Sequence, residues 1–145
     1  MDIEHFYIEK GRGFPLILLH GNGEDCDYFR GQIDEFSKQY HVYAIDTRGH
    51  GRTPRGDMPF TIRQFAGDLL EFMDEHQIEK AHLLGFSDGG NIAMVFALQN
   101  PGRIDRLILN GANLNADGVK QTTQLPIEIG YKLAKRFSEK SDSAK

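Results

Sequence analysis

Four short, continuous apolar runs constrain this chain more than any other feature it has. Phe14 to Leu19 reads FPLILL, Val42 to Asp46 reads VYAID, Ala81 to Phe86 reads AHLLGF and Ile104 to Asn110 reads IDRLILN. A strand with one wet face alternates apolar and polar residues, so an unbroken run marks a strand covered on both faces. Between the runs, apolar residues recur every three or four positions. Asp27 to Gln39 carries Tyr28, Phe29, Ile33 and Phe36, and Gly89 to Asn100 stops at Pro101, which cannot continue a helix. Thr61-Ile62-Arg63-Gln64 fits a capping box opening a helix with Ile62, Phe65, Leu69, Phe72 and Met73 on one side. This alternation predicts an α/β fold, a mostly parallel sheet with helices on both faces. Ile3 to Glu9 is expected to add an antiparallel edge strand.

The character changes after Gly111. Residues 112–145 show no further strand pattern, and Ile127, Ile129, Tyr131, Leu133, Ala134 and Phe137 suit one amphipathic helix. Ser138 to Lys145 reads as a polar tail. The expected organisation is a core over 1–111, then the start of a cap-like helical segment and the tail over 112–145.

A chain of 145 residues is one domain's worth. Its net charge of -4 argues against a nucleic-acid or anionic-membrane partner. Cys26 is the lone cysteine, so neither an intrachain disulfide nor a thiolate metal cluster can form. The charged opening residues (Asp2, Glu4, Glu9, Lys10, Arg12) do not read as a signal peptide. No apolar run approaches the roughly 20 residues that span a bilayer. A cytoplasmic protein is the expectation.

Chemistry concentrates in the loops that follow the runs. Gly21-Asn22-Gly23-Glu24-Asp25-Cys26 half matches the dinucleotide fingerprint, with Asp46 where a ribose-binding acid belongs. Cys26, however, stands where that fingerprint wants glycine or alanine. Gly85-Phe86-Ser87-Asp88-Gly89 satisfies G-x-S-x-G between a strand and a helix, the context of a nucleophile elbow. Such a turn needs small flanking residues and holds its serine in a strained conformation. It also points the helix's free N–H groups and positive dipole end at the reacting centre. The plainer alternative is that Ser87 caps the helix.

LLHGNG, DTRGHGRT and LLGFSDGGNIA, in this order and spacing, resemble the N-terminal part of an α/β-hydrolase fold enzyme of the esterase, lactonase and haloperoxidase-like branch. The resemblance covers about residues 3 to 115. It implies that Ser87 is the nucleophile and that the backbone N–H groups of Asn22 and Asp88 form the oxyanion hole. His20, Gly21, Gly85 and Gly89 would support these loops, His20 as an orienting residue rather than a base. Arg48 and His50, in the D-x-R-G-H-G loop, are read as structural. The implied activity is hydrolysis of a carboxylic ester, thioester or lactone through an acyl-enzyme. The partner would be a small-molecule substrate, with no cofactor and no metal.

The family's order is nucleophile, acid, histidine. Here His5, His20, His41, His50, His76 and His82 all precede Ser87. Asp105 starts a strand, at the end away from the site, and Asp117 and Glu128 have no histidine to orient. The expectation is a hydrolase without its last strands, poorly active alone. The alternative is a non-catalytic small-molecule-binding module on the same fold. In the family sheet the strand matching Ile104–Asn110 is interior, so an apolar edge should be bared, favouring a homodimer or a swapped assembly.

Overall fold

The computed structural model describes residues 2–21, 23–110 and 127–129. Within them run β1 (Tyr7–Lys10), β2 (Pro15–Leu19), a 3-10 turn (Cys26–Phe29), α1 (Arg30–Phe36), β3 (His41–Ile45) and α2 (Ile62–Glu75). These are followed by β4 (Ala81–Phe86), α3 (Asp88–Gln99), a second 3-10 turn (Pro101–Arg103), β5 (Ile104–Asn110) and β6 (Ile127–Ile129). The strands form one sheet in the order β1-β3-β2-β4-β5-β6. All neighbours are parallel except β1, which runs antiparallel to β3 at the edge.

Burial on both faces explains the unbroken apolar runs. Ile17, Leu19, Tyr43, Ile45, Leu83, Leu107 and Leu109 pack with Phe65, Leu69, Phe72, Met73, Ile92 and Phe96 of α2 and α3. The alternate residues Leu16, Leu18, Val42, Ala44, Leu84 and Ile108 pack with Cys26, Phe29, Ile33 and Phe36. The strands β2 to β5 therefore send successive side chains into two separate cores, and a polar residue placed among them would be buried without a partner.

Thr61 caps α2 as its sequence predicts, its side chain accepting from the Gln64 amide at 3.1 Å. The reciprocal half of the box is absent, because the Gln64 side chain donates instead to Asp68 at 2.9 Å. The helix expected from Asp27 opens as the 3-10 turn, whose N-cap Asp25 accepts from the Asp27 amide at 2.9 Å; α-helix begins only at Arg30.

Residues 127–129 require a larger correction. They form β6, parallel to β5 with Leu107 opposite Ile127 and Leu109 opposite Ile129, and not a helix. Ile127, Ile129, Tyr131 and Leu133 recur every second residue, a strand's period, and β-branched isoleucine favours that conformation. The bare edge expected at β5 is thus covered over Leu107–Leu109. The rest of the cap-like segment and the tail lie outside the described residues. No helix among the described residues is long and apolar enough to cross a membrane.

Candidate active site

Parallel register brings three loops to one end of the sheet. Leu19 is level with Ile45 on one side and with Gly85 on the other, so the chain leaves β2, β3 and β4 at nearly the same height. His20, Asp46 and Ser87 begin those loops, at the carboxyl ends of strands where open α/β sheets bind ligands.

Ser87 stands between β4 and α3 with φ 55° and ψ -117°, and its side chain makes no capping hydrogen bond. The helix-cap reading therefore fails. The turn closes through the Ser87 carbonyl, which accepts from the amides of Gly90 at 2.9 Å and Asn91 at 3.3 Å. The Asp88 amide precedes these and has no acceptor within the helix, as expected of a first-turn donor. The Asp88 side chain accepts from Asn91 Nδ2 at 3.3 Å. Close packing dictates the flanking glycines. A Cβ on Gly85 would come within 2.6 Å of Gly90 Cα, and one on Gly89 within 2.6 Å of the His20 carbonyl oxygen.

The first loop reaches the serine directly. A Cβ placed on Gly21 would lie 3.3 Å from Ser87 Cβ, 3.4 Å from Phe86 Cδ1 and 2.8 Å from Glu24 Oε1. The second expected oxyanion donor, Asn22, lies outside the described residues.

His20 is buried, with both ring nitrogens engaged. Nδ1 lies 2.7 Å from the Gly21 carbonyl and Nε2 3.1 Å from the Thr47 amide. A carbonyl can only accept and an amide can only donate, so the ring is neutral with its proton on Nδ1. Burial lowers its pKa, in keeping with this state. It is an orienting group with no free lone pair for a serine proton. His50 Nδ1 lies 3.0 Å from the Arg48 carbonyl and 3.1 Å from Thr47 Oγ1, and the ring stacks on Phe60. Thr47, which joins the two histidines, carried no sequence signal; it is found only because the register sets β2 beside β3.

Asp46 answers the dinucleotide alternative. Its carboxylate is buried and accepts from the amides of Cys26 at 2.6 Å and Arg52 at 2.8 Å, so it ties two loops together and both oxygens are committed to protein amides. The Cys26 thiol is buried, and burial with the neighbouring Asp46 pushes its pKa up, which leaves it unreactive.

Arg48 is fully buried and structural. It donates to Asp68 through Nε and Nη2 at 2.8 Å each, to Asp2 at 2.8 and 2.7 Å, and to the Arg55 carbonyl at 2.8 Å. These bonds hold the Asp2 carboxyl well below the usual carboxylate range. Asp68 was legible in principle: it is an aspartate on the core side of an apolar helical stripe, which requires a buried cation.

The alpha/beta hydrolase fold family matches residues 15–139, and the chain belongs to that family. It is 38% identical over 99 residues to the dihydrolipoyllysine-residue acetyltransferase component of the acetoin cleaving system of Cupriavidus necator, covering 68% of this chain and 26% of that protein. It is 32% identical over 106 residues to the (E)-2-((N-methylformamido)methylene)succinate hydrolase of Acinetobacter baylyi, covering 72% of this chain and 40% of that one. Among solved structures, the enol-lactonase from Burkholderia xenovorans LB400 matches with a TM-score of 0.72 at 32% identity, over 76% of this chain and 44% of that chain. The chain thus spans less than half the length of each of these proteins.

Proposed function

We propose that this chain supplies the nucleophile and oxyanion half of a serine hydrolase for a carboxylic ester, thioester or lactone. The observation that carries the reading is Ser87, strained at φ 55° with its hydroxyl spared from capping and the Gly21 turn beside it. In this mechanism Ser87 Oγ bonds to the acyl carbon while its proton passes to a base. Charge develops on the carbonyl oxygen and is met by the Asp88 amide and, by family resemblance, the Asn22 amide. The alcohol or thiol leaves with a proton, and water then releases the acyl group from Ser87.

In the same reading, the activating acid and histidine are not supplied by these 145 residues. His20 is committed at both nitrogens, His41 pairs with Glu9 and His76 bonds Tyr7 and the Phe72 carbonyl. Losing the histidine of an intact triad costs on the order of 10⁶-fold in turnover, while the oxyanion hole and binding retain about 10³-fold over water. The purified chain should hydrolyse p-nitrophenyl acetate barely above background and label slowly with a fluorophosphonate, at Ser87 alone. Rapid stoichiometric labelling abolished by Ser87→Ala would show that a base is present in this chain. Complete absence of Ser87 labelling, with small-molecule binding unaffected by Ser87→Ala, would favour the binding-module reading.

A further inference from the structure

We propose that Tyr28 and Phe86 form a flat aromatic shelf that selects substrates whose acyl group carries an aromatic ring; the proposal rests on Ser87 being the nucleophile. Phe86 immediately precedes Ser87 on β4, and its ring edge and Ser87 Cβ converge on the same point above Gly21, at 3.4 and 3.3 Å. Tyr28 stacks on Phe86 with ring centroids 4.8 Å apart and planes 24° from parallel, and meets Phe29 edge-on at 5.2 Å.

Tyr28 belongs to neither core and is 45% exposed, whereas the adjoining Phe29 is 3% exposed. Its backbone is fixed all the same, since the Tyr28 amide donates to the Asp25 carbonyl at 3.1 Å and Asp25 caps the turn. A large ring is thus presented to solvent on a fixed backbone, stacked on the residue that precedes the nucleophile, where binding a second ring requires little ordering. The acyl carbon becomes bonded to Ser87 Oγ in every intermediate, so the aromatic surface that adjoins Ser87 through Phe86 is assigned to the acyl substituent. Offset stacking favours a ring over an alkyl chain of similar area.

Boronic acids test this without requiring turnover, because boron accepts a lone pair from Ser87 Oγ and the hydroxyl proton goes to water. The 145-residue protein and its Ser87→Ala, Tyr28→Phe and Tyr28→Leu variants are titrated calorimetrically with phenylboronic and butylboronic acids. Boron NMR reports the tetrahedral adduct. Phenylboronic acid is the stronger Lewis acid in any protein, so the readout is the ratio of the two affinities across the variants. Tyr28→Leu should lower the ratio about threefold to tenfold, the size of a stacking contribution, and Tyr28→Phe should keep it. A tyrosine that merely covered Phe86 would alter thermal stability and leave the preference in place. A ratio that Tyr28→Leu leaves unchanged, in a protein that still forms the adduct, overturns the shelf and leaves the reading of Ser87 intact. Failure of both acids to form an adduct in a protein whose Ser87 still labels slowly with a fluorophosphonate overturns the shelf alone; failure of both the adduct and the labelling overturns both.

Discussion

Replacing Ser87 with glycine should leave the protein more stable than replacing it with alanine. Among the described residues, Gln77 and Ser87 are the non-glycine positions at positive φ, and Ser87 combines φ 55° with ψ -117°. That pair of angles suits the first central residue of a type II′ turn, where glycine dominates because a Cβ is strained. The strain at such a residue is about 1–3 kcal/mol. Alanine keeps the Cβ and the strain, and because the hydroxyl caps nothing it loses little in the fold. Glycine removes the strain but returns about 0.5–1 kcal/mol through the greater freedom of the unfolded chain. The net advantage of glycine over alanine is then about 0–2.5 kcal/mol, with its midpoint at about 1 kcal/mol. At about 2–4 °C per kcal/mol for a chain near this size, that midpoint corresponds to melting temperatures roughly 2–5 °C apart. Urea titrations of both variants, with unchanged slopes, supply the free energies, and thermal melts the temperatures. A glycine variant no more stable than the alanine variant would mean that the backbone is unstrained. The nucleophile reading would then lose the observation that carries it.

Acid should destabilise the fold from near neutrality. Burial lowers the pKa of His5, His20 and His82. As pH falls through about 6.5 the unfolded chain takes up protons first, so stability is intact above that value and lost below it, by at most about 1.4 kcal/mol per pH unit per histidine. A urea midpoint that stays level between pH 7 and 5 would contradict this. Arg48→Met strands the buried Asp68 carboxylate and should cost about 3–5 kcal/mol, read from the same titrations; a loss under 1 kcal/mol would show the network to be dispensable. Ile127→Pro, Glu128→Pro and Ile129→Pro together remove every amide of β6, including those that hold it to β5, so the uncovered edge should raise association in sedimentation relative to the parent. An unchanged sedimentation coefficient would refute that role for β6.

The parts of the fold legible in the sequence were those where burial leaves a one-dimensional trace. Leu16 to Leu19 and Leu107 to Leu109 are apolar at every position because both faces are covered, and their shortness separates them from a buried helix. The elbow was legible because Gly85, Ser87 and Gly89 each answer to a backbone requirement a few residues away. Contacts made across the sheet left no such trace. Thr47 meets His20 because Leu19 pairs with Ile45, and Asp2 reaches Arg48 from 46 positions away. Asp46 shows the opposite error: its position suggested a ribose, but its oxygens face inward to two amides. At Ile127–Ile129 the apolar spacing fitted two periods, and pairing with β5 decided between them.

The strain at Ser87 also bears on whether the site is catalytic or only binds. A module that merely held a ligand in this cleft would have no use for a serine at φ 55°, since glycine would make the same turn at lower energy. The surroundings nevertheless enforce the conformation. Gly85 and Gly89 permit approaches that any Cβ would block, and His20 fixes the Gly21 carbonyl while Asp46 anchors the 3-10 turn that follows. All of these contacts lie within β2 to α3, and none involves an acid or a histidine beyond Ser87. The oxyanion side of the site can therefore be preorganised before any activating base is in place, which is the part of catalysis that resides in fixed dipoles. A strained serine in front of such a site supports the proposed acyl transfer over a binding function that a glycine could perform as well.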